Sequence, residues 1–534
     1  MPTDTPQNVE RGHLRSAGLI GLATMGSRVL GLVREHLFAK LMGMGVYSDA
    51  FVIAYRIPNL LRELVAEGAL SSAFVPVFAE HREKRGDAEA MRLAQVVFTG
   101  LLVLGSVLVA AGIIFAPQLV DTFASGFQDD SAKRSVTIEL TRWMMPFLVL
   151  AAWAALCRGV LNSYGKYLIP ALSPAFFNLV PIIGGFAMVF LALEPARAAY
   201  GWALAFLVGG ALAYFVQVPA ILRLGLRPRL LLDFRHPGFV RILKLMGPAT
   251  LGLAALQINI LVNSNLASRW EDAVSALNYA YRLVYLPVGV IGVAIATVTT
   301  VEVSRHAART NFGDLRASLA SALRHLAFFT LPGTAGLIVL SEPIVRLLYD
   351  YGRFAEQPEN VATTARSLVC YSWALFFYCG VKVLAPTFYA LDRIRVPVIA
   401  SVSAVGINVL WSTSTADELG FQTLAIGTAI ASTANFLILV FSLVRLIGGF
   451  PYRVLARSFT SIAVLTLVMT AAVWQTSVAI TATLGTESLF ARILGVVAPM
   501  LVAAGVYLGG GKWFGLKECA DFVAVLSRKL ASHQ

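Results

Sequence analysis

Runs of about 20 residues with almost no charge recur along the chain, and a run of that length and composition crosses a bilayer as a helix. Clear cases are residues 96–116, 175–193, 203–222 and 459–478. Within hydrocarbon each backbone N–H and C=O must be satisfied inside the protein, so a chain with many such runs folds as a bundle of helices. The balance of residue types agrees: of 534 residues 57% are hydrophobic and 14% charged, where soluble domains carry about a quarter charged. Too many runs are present for a secreted protein with one anchor. The fold class expected is an all-α polytopic membrane protein.

Fourteen helices are expected, beginning near Ala17, Asp49, Arg92, Ser135, Tyr167, Tyr200, Phe239, Ala273, Leu315, Ala362, Ile394, Thr423, Arg457 and Leu489. The apolar run from Ala17 reads as the first span rather than a cleaved leader, because Arg28 and Arg34 interrupt it and no small-x-small site follows. The net charge of +13 would point to nucleic acid in a soluble chain. Here the basic residues gather in alternate loops: Arg82, Lys84, Arg85 and Arg92; Arg223, Arg227, Arg229 and Arg235; Arg305, Arg309 and Arg316; Arg393 and Arg395. The loops between lean acidic, with Asp129 and Asp130, Glu271 and Asp272, Glu356 and Glu359, Asp417 and Glu418. That alternation places the N-terminus in the cytoplasm, makes membrane lipids the partner of the basic loops and leaves no call for nucleic acid. Cys157, Cys370, Cys379 and Cys519 are scattered without a CxxC or Cys/His spacing, so neither a metal site nor a disulfide framework is expected.

An internal repeat near 226 residues organises the chain. The tetrapeptide from Ala54 through Tyr55 and Arg56 to Ile57 recurs as Ala280, Tyr281, Arg282 and Leu283. Gly86 and Asp87 recur one residue out of step as Gly313 and Asp314; Pro117 answers Pro343, Gly126 answers Gly352, and Lys166 with Pro170 answers Arg393 with Pro397. The segments expected are a cytoplasmic N-terminus (1–16), two six-helix lobes (17–224 and 236–448), an extra helical pair (454–511) and a basic tail (512–534) that either lies on the membrane surface or is solvated. Because six is even, both lobes enter the membrane in one direction. Parallel repeats of this plan suit alternating access, with cargo bound between halves that rock. A duplicated membrane scaffold without transport is the non-transport alternative.

The first two helices carry charges that such a scaffold does not need. Ser27, Arg28, Arg34 and Glu35 lie in the first; Asp49, Arg56, Pro58, Asn59, Arg62 and Glu63 lie in the second. Helical spacing puts Arg28, Gly31 and Glu35 on one face, and Arg56, Asn59 and Glu63 on another. Pro58 removes a backbone hydrogen bond and is expected to kink or loosen its helix. An arginine at mid-bilayer costs roughly 3 kcal/mol, so several of them face protein or water rather than lipid. One account is internal pairing, Arg28 with Glu35 and Arg62 with Glu63 or Glu67. The other is a hydrated cavity that also receives Arg282, the repeat partner of Arg56. Guanidinium groups bind phosphate through a two-pronged fork and do not lose their proton, so such a cavity selects an anionic cargo.

These are also the stretches that carry a resemblance. SRVLGLVRE at 27–35, SDAF at 48–51, RIPNLLRELVAEGALSSAFVPVF at 56–78 and YRLVYLPVGVIGVAIATV at 281–298 resemble the MurJ (MviN) lipid II flippase family of the multidrug/oligosaccharidyl-lipid/polysaccharide exporter superfamily. The resemblance implies a MATE-like fold in the bacterial inner membrane. It also implies transfer of the anionic lipid II, undecaprenyl-pyrophosphoryl disaccharide-pentapeptide, to the outer leaflet for peptidoglycan synthesis. By the same resemblance Arg28, Arg34, Arg62 and Arg282, with Arg56 and Ser27, contact the head group, Asp49 takes part in gating near the outer end, and the last two helices supply a groove for the isoprenoid tail. Tyr285 departs from the pattern, standing where some members have glutamate.

Rival readings are a multidrug exporter, which favours cationic cargo; an exporter of another lipid-linked oligosaccharide; and a membrane enzyme. No GxSxG, HExxH or Walker sequence supports an enzyme. No cofactor or metal is expected. Coupling to the membrane potential is, with sodium or another ion left open, and the protein is expected to be a monomer.

Overall fold

The apolar runs become helices, and prolines and short polar turns divide them. The computed structural model describes residues 6–64, 70–225, 227, 229–309 and 311–531, and among them every regular element is helical. They form two units, the described residues of Met1–Ser275 with Tyr351–Glu356, and those of Ala276–Asp350 with Gln357–Gln534.

The first unit opens with α1 (Pro6–Met42), α2 (Val46–Arg62), α3 (Leu70–Arg85) and α4 (Asp87–Ile114). The short α5 (Ala116–Phe123) leads to a 3-10 turn at Ser125–Asp129, then α6 (Ser131–Met144) and α7 (Phe147–Ser163). It closes with α8 (Leu168–Phe190), α9 (Pro195–Phe215), α10 (Val218–Arg223) and α11 (Pro237–Ala267). The first three residues of α12 (Ala273–Pro287) also belong to it. Phe74, Val77 and Phe78 of α3 bury against Leu93 and Val97 of α4 and Leu156 and Val160 of α7. In a bilayer such contacts are held by close packing more than by expulsion of water.

The second unit contains the rest of α12, a π-helical turn at Val288–Gly292 just past Pro287, α13 (Val293–Ala308) and α14 (Phe312–Val339). Next come α15 (Ser341–Tyr349), α16 (Glu359–Ser372), α17 (Leu375–Ala390), α18 (Arg395–Leu419) and α19 (Gln422–Ile447). The chain ends in α20 (Tyr452–Leu484), α21 (Leu489–Trp513) and α22 (Lys517–Ala531). The basic tail, for which the sequence leaves both a surface helix and a solvated segment open, forms a helix that docks within the second unit. Glu518, 1% exposed, accepts a hydrogen bond from Ser458 at 3.1 Å and pairs with Arg324 at 3.3 Å, while His325 lies 3.4 Å from Asp521. One buried acid outweighs the basic character that dominated the sequence of this segment.

Each expected helix start lies on or within a few residues of a helix. Among the described residues ten segments are long and apolar enough to cross a membrane, or eleven when α16 and α17, bent by 43°, count as one span. That defines fewer spans than the fourteen expected; the other starts fall on α1, α2 and α11. Large apolar side chains on the spanning helices, such as Val107, Ile183, Leu410, Leu467 and Leu501, are exposed, as a surface solvated by lipid requires.

The repeat is visible element by element. α4 and α14 each have 28 residues, each is followed by a short helix, and each short helix by a 3-10 turn. The two repeat glycines sit in those turns, and within the first unit both serve close approach. A side chain on Gly126 would strike the Ser268 carbonyl where α11 ends; one on Gly352, at φ +56°, would strike the Lys40 carbonyl where α1 ends. Matching turns thus cap the first helix and its repeat counterpart.

Candidate functional site

The polar side chains of the first unit cluster at three levels along α2. At its start Asp49 is fully buried. One carboxylate oxygen accepts from the Lys133 ammonium at 2.7 Å; the other accepts from the Ser275 backbone N–H at 2.8 Å and from the Ser275 hydroxyl. Ser48 and Ser275 share a hydroxyl hydrogen bond of 2.9 Å. The Lys133 side chain is 7% exposed and its ammonium lies over the Phe127 ring. A buried carboxylate and ammonium each lose several kcal/mol of hydration, which good geometry must offset. Asp272, in the turn before α12, adds a second acid. Burial, then the nearby Asp49 charge, pushes its carboxyl up to about 6, with Lys133 pulling the other way and Glu271 adding a small upward push.

Two turns further along α2, Arg56 donates to the Ser264 hydroxyl of α11. A third level follows. Asn59 donates to Glu63 at 3.0 Å, Arg62 donates to Asn59 at 3.1 Å and lies 3.7 Å from Glu63, and Gln257 of α11 donates to Glu63 at 2.9 Å. Arg62 and Glu63 are 21% and 37% exposed at the side chain. Pro58 is buried inside α2, which continues for one turn to Arg62 and then widens into a π-type turn at Glu63 and Leu64. Glu67, the other candidate partner of Arg62, lies outside the described residues. Along one helix face, therefore, acid, arginine and amide alternate over 14 residues, about 21 Å of rise.

In α1 the arginines part company. Arg34, 7% exposed, donates to Asn178 of α8 at 2.9 Å and to Glu35 at 2.6 Å, with its guanidinium 5.0 Å from the Phe206 ring centre. Asn178 in turn donates to the Ser27 carbonyl at 3.1 Å. This set fastens α1 to α8 and α9. The expected pairing of Arg28 with Glu35 is not what forms: those residues are two turns, about 10 Å, apart along the axis, and the adjacent Arg34 takes the carboxylate. Arg28 is half-buried and has no ion-pair partner among the described residues. In the second unit Arg282 is exposed on α12 between Tyr281 and Tyr285.

Sequence reasoning missed Lys133, Ser275, Asn178, Ser264 and Gln257. Each is a polar residue in or beside an apolar helix, and that is the available signal, because such a residue needs a partner. An open depression of about 570 Å³, lined by Asp121, Arg134, Glu139 and Arg142 among others, contains none of the predicted residues. Among the described residues no three His, Cys, Asp or Glu side chains converge as a metal site would require.

A duplicated, all-helical membrane bundle with charged side chains set into α1 and α2 is of the transporter class. Solved structures carry the same fold, among them an inward-facing multidrug resistance MATE family transporter of the MOP superfamily (TM-score 0.66, 17% identity, covering 79% of this chain and 94% of that one). A structure of lipid II flippase MurJ in an inward closed conformation is more similar, with TM-score 0.78, 28% identity, and 93% and 98% of the two chains covered. Two curated relatives extend this: lipid II flippase MurJ of Burkholderia cenocepacia is 34% identical over 79% of this chain and 81% of its own. The probable lipid II flippase MurJ of Rhizobium meliloti is 36% identical over 80% and 79%. The family pattern described as lipid II flippase MurJ matches residues 38–495. The chain belongs to the lipid II flippase MurJ family.

Proposed function

We propose that this chain moves lipid II from the inner to the outer leaflet of the bacterial plasma membrane, supplying peptidoglycan synthesis. Family membership over most of the chain carries this reading. The residue chemistry supports it: Arg28, Arg56, Arg62 and Arg282 are half-buried or exposed on α1, α2 and α12, and an arginine facing lipid is costly. The pyrophosphate is their cargo-side partner. Arg34, spent on Glu35 and Asn178, positions α1 rather than touching cargo. Asp49, with Lys133 and Ser275, gates the outer end of α2.

The head group enters from the cytoplasm, arginines neutralise it, and rocking of the lobes exposes it outside while the isoprenoid tail stays in lipid against α20 and α21. An inside-negative potential contributes about 2.3 kcal/mol per charge per 100 mV to outward movement of an anion. Coupling is therefore to the potential, the N-terminus is cytoplasmic, and a monomer suffices. The test is complementation of a bacterium depleted of its own flippase. Expression of this chain should prevent lysis and clear lipid II from the inner leaflet; lysis with inner-leaflet lipid II undiminished, despite membrane insertion, sinks the proposal.

A further inference from the structure

In the second unit α12 presents two tyrosines that no packing requirement explains. Tyr279 is fully buried against Tyr349. Tyr281 and Tyr285 are 40% and 43% exposed, their rings stacked with centres 5.4 Å apart and 29° between planes. Tyr371 braces Tyr281 edge-on at 5.5 Å, and the Lys382 ammonium lies 5.7 Å from the centre of the Tyr285 ring. Exposed Arg282 stands between the two on the same helix.

Depth sets Tyr285 apart from the tyrosine belts that mark membrane interfaces. α12 begins at Ala273 and heads a continuous apolar span of 36 residues. The span rises about 54 Å, and Tyr281 and Tyr285 are about 12 and 18 Å along it, so a hydrocarbon core of about 30 Å centred on the span has Tyr281 at its edge and Tyr285 within it. Lys382 is likewise interior to α17, within the bent span Glu359–Ala390. An ammonium facing lipid at that depth is costly, so Lys382 and the tyrosine rings beside it lie on a wetted face rather than in lipid. A wetted pair of ring faces flanked by cations has a definite complement. The C–H face of a pyranose covers a phenol ring, its hydroxyls reach the phenolic oxygens, and acidic substituents meet the cations.

Resting on the reading that the cargo is a lipid-linked saccharide, we propose that Tyr281 and Tyr285 form a stacking platform for a sugar ring of the head group, with Lys382 and Arg282 engaging the acidic groups beside it. The platform gives selectivity for glycosylated cargo over bare polyprenyl pyrophosphate. In nanodiscs, binding of lipid II and of undecaprenyl pyrophosphate is measured for the wild type, for the double variant Tyr281→Ala/Tyr285→Ala, and for Tyr281→Phe/Tyr285→Phe. The alanine pair should weaken lipid II binding about tenfold, the worth of two ring contacts, and leave the sugarless lipid unaffected; the phenylalanine pair should stay within about threefold of wild type. Equal loss for both lipids, or no loss for either, overturns the platform while leaving the flippase reading intact. Wild-type protein that binds neither lipid overturns both.

Discussion

Substituting Lys133 by methionine keeps most of the side chain's bulk and deletes the ammonium 2.7 Å from Asp49. The carboxylate, fully buried, then has no cation. Breaking a buried pair by removing one member costs about 3–5 kcal/mol. Asp49 keeps the Ser275 N–H and hydroxyl, so the lower end, about 3 kcal/mol, is expected. For a bundle of this size each kcal/mol moves the melting temperature by about 2 °C, which gives a fall of about 6 °C. Thermal unfolding of the purified protein in detergent reads this directly. Adding Asp49→Asn to the Lys133→Met background removes the stranded charge and should restore more than half of the loss, although either change alone is harmful. A fall below about 2 °C for Lys133→Met, or a double variant no more stable than the single one, would refute the argument that the pair is buried and mutually dependent.

Asp272 gives a pH signature. Its carboxyl is raised to about 6 by burial and by Asp49, so the folded state prefers the protonated form. The stability this contributes is complete below the ordinary carboxylate value near 3.8 and is lost as pH rises through about 6. Asp272→Asn should therefore melt above wild type at pH 7.5 and converge with it near pH 4; parallel curves across that window count against it. Gly126→Ala and Gly352→Ala should each lower the melting temperature by several degrees, since a methyl group must displace backbone of Ser268 or Lys40; unchanged melting would show that the turns do not pack as described. Arg34→Ala should destabilise, because the buried Glu35 carboxylate loses the guanidinium 2.6 Å away and α8 loses its hydrogen bond through Asn178, whereas Arg28→Ala should melt like wild type and lose translocation; the reverse pattern would contradict the division of roles between them. Glu518→Ala should free α22, seen as faster proteolysis after Lys517, and equal digestion rates would argue against docking through that acid.

Much of the architecture was legible because it is written in periodic or repeated features. Apolar runs gave the helices, and Pro117 with Pro343 and Gly126 with Gly352 marked matching breaks 226 positions apart. Why those glycines recur was not legible, since the carbonyls they approach belong to segments distant in sequence. The same limit governs the polar sites. Asp49 stands out as an acid in a membrane helix, but Lys133, 84 positions away, reads as one charge in a loop-to-helix junction. Helical periodicity suggested Arg28 for Glu35, because it describes one helix in isolation; Asn178 and Phe206 on neighbouring helices hold Arg34 in place instead. At the C-terminus net charge concealed the two acids, Glu518 and Asp521, through which α22 docks.

The most direct trial is head-group translocation of lipid II in proteoliposomes, with an imposed potential, for the wild type and for Arg28→Ala, Arg62→Ala and Arg282→Ala. Wild type should move lipid II faster under an inside-negative potential, and each variant should insert and melt normally yet move it at least tenfold more slowly, the loss of one charge-assisted contact of about 1.5–3 kcal/mol. Wild-type rates in all three variants would contradict the account.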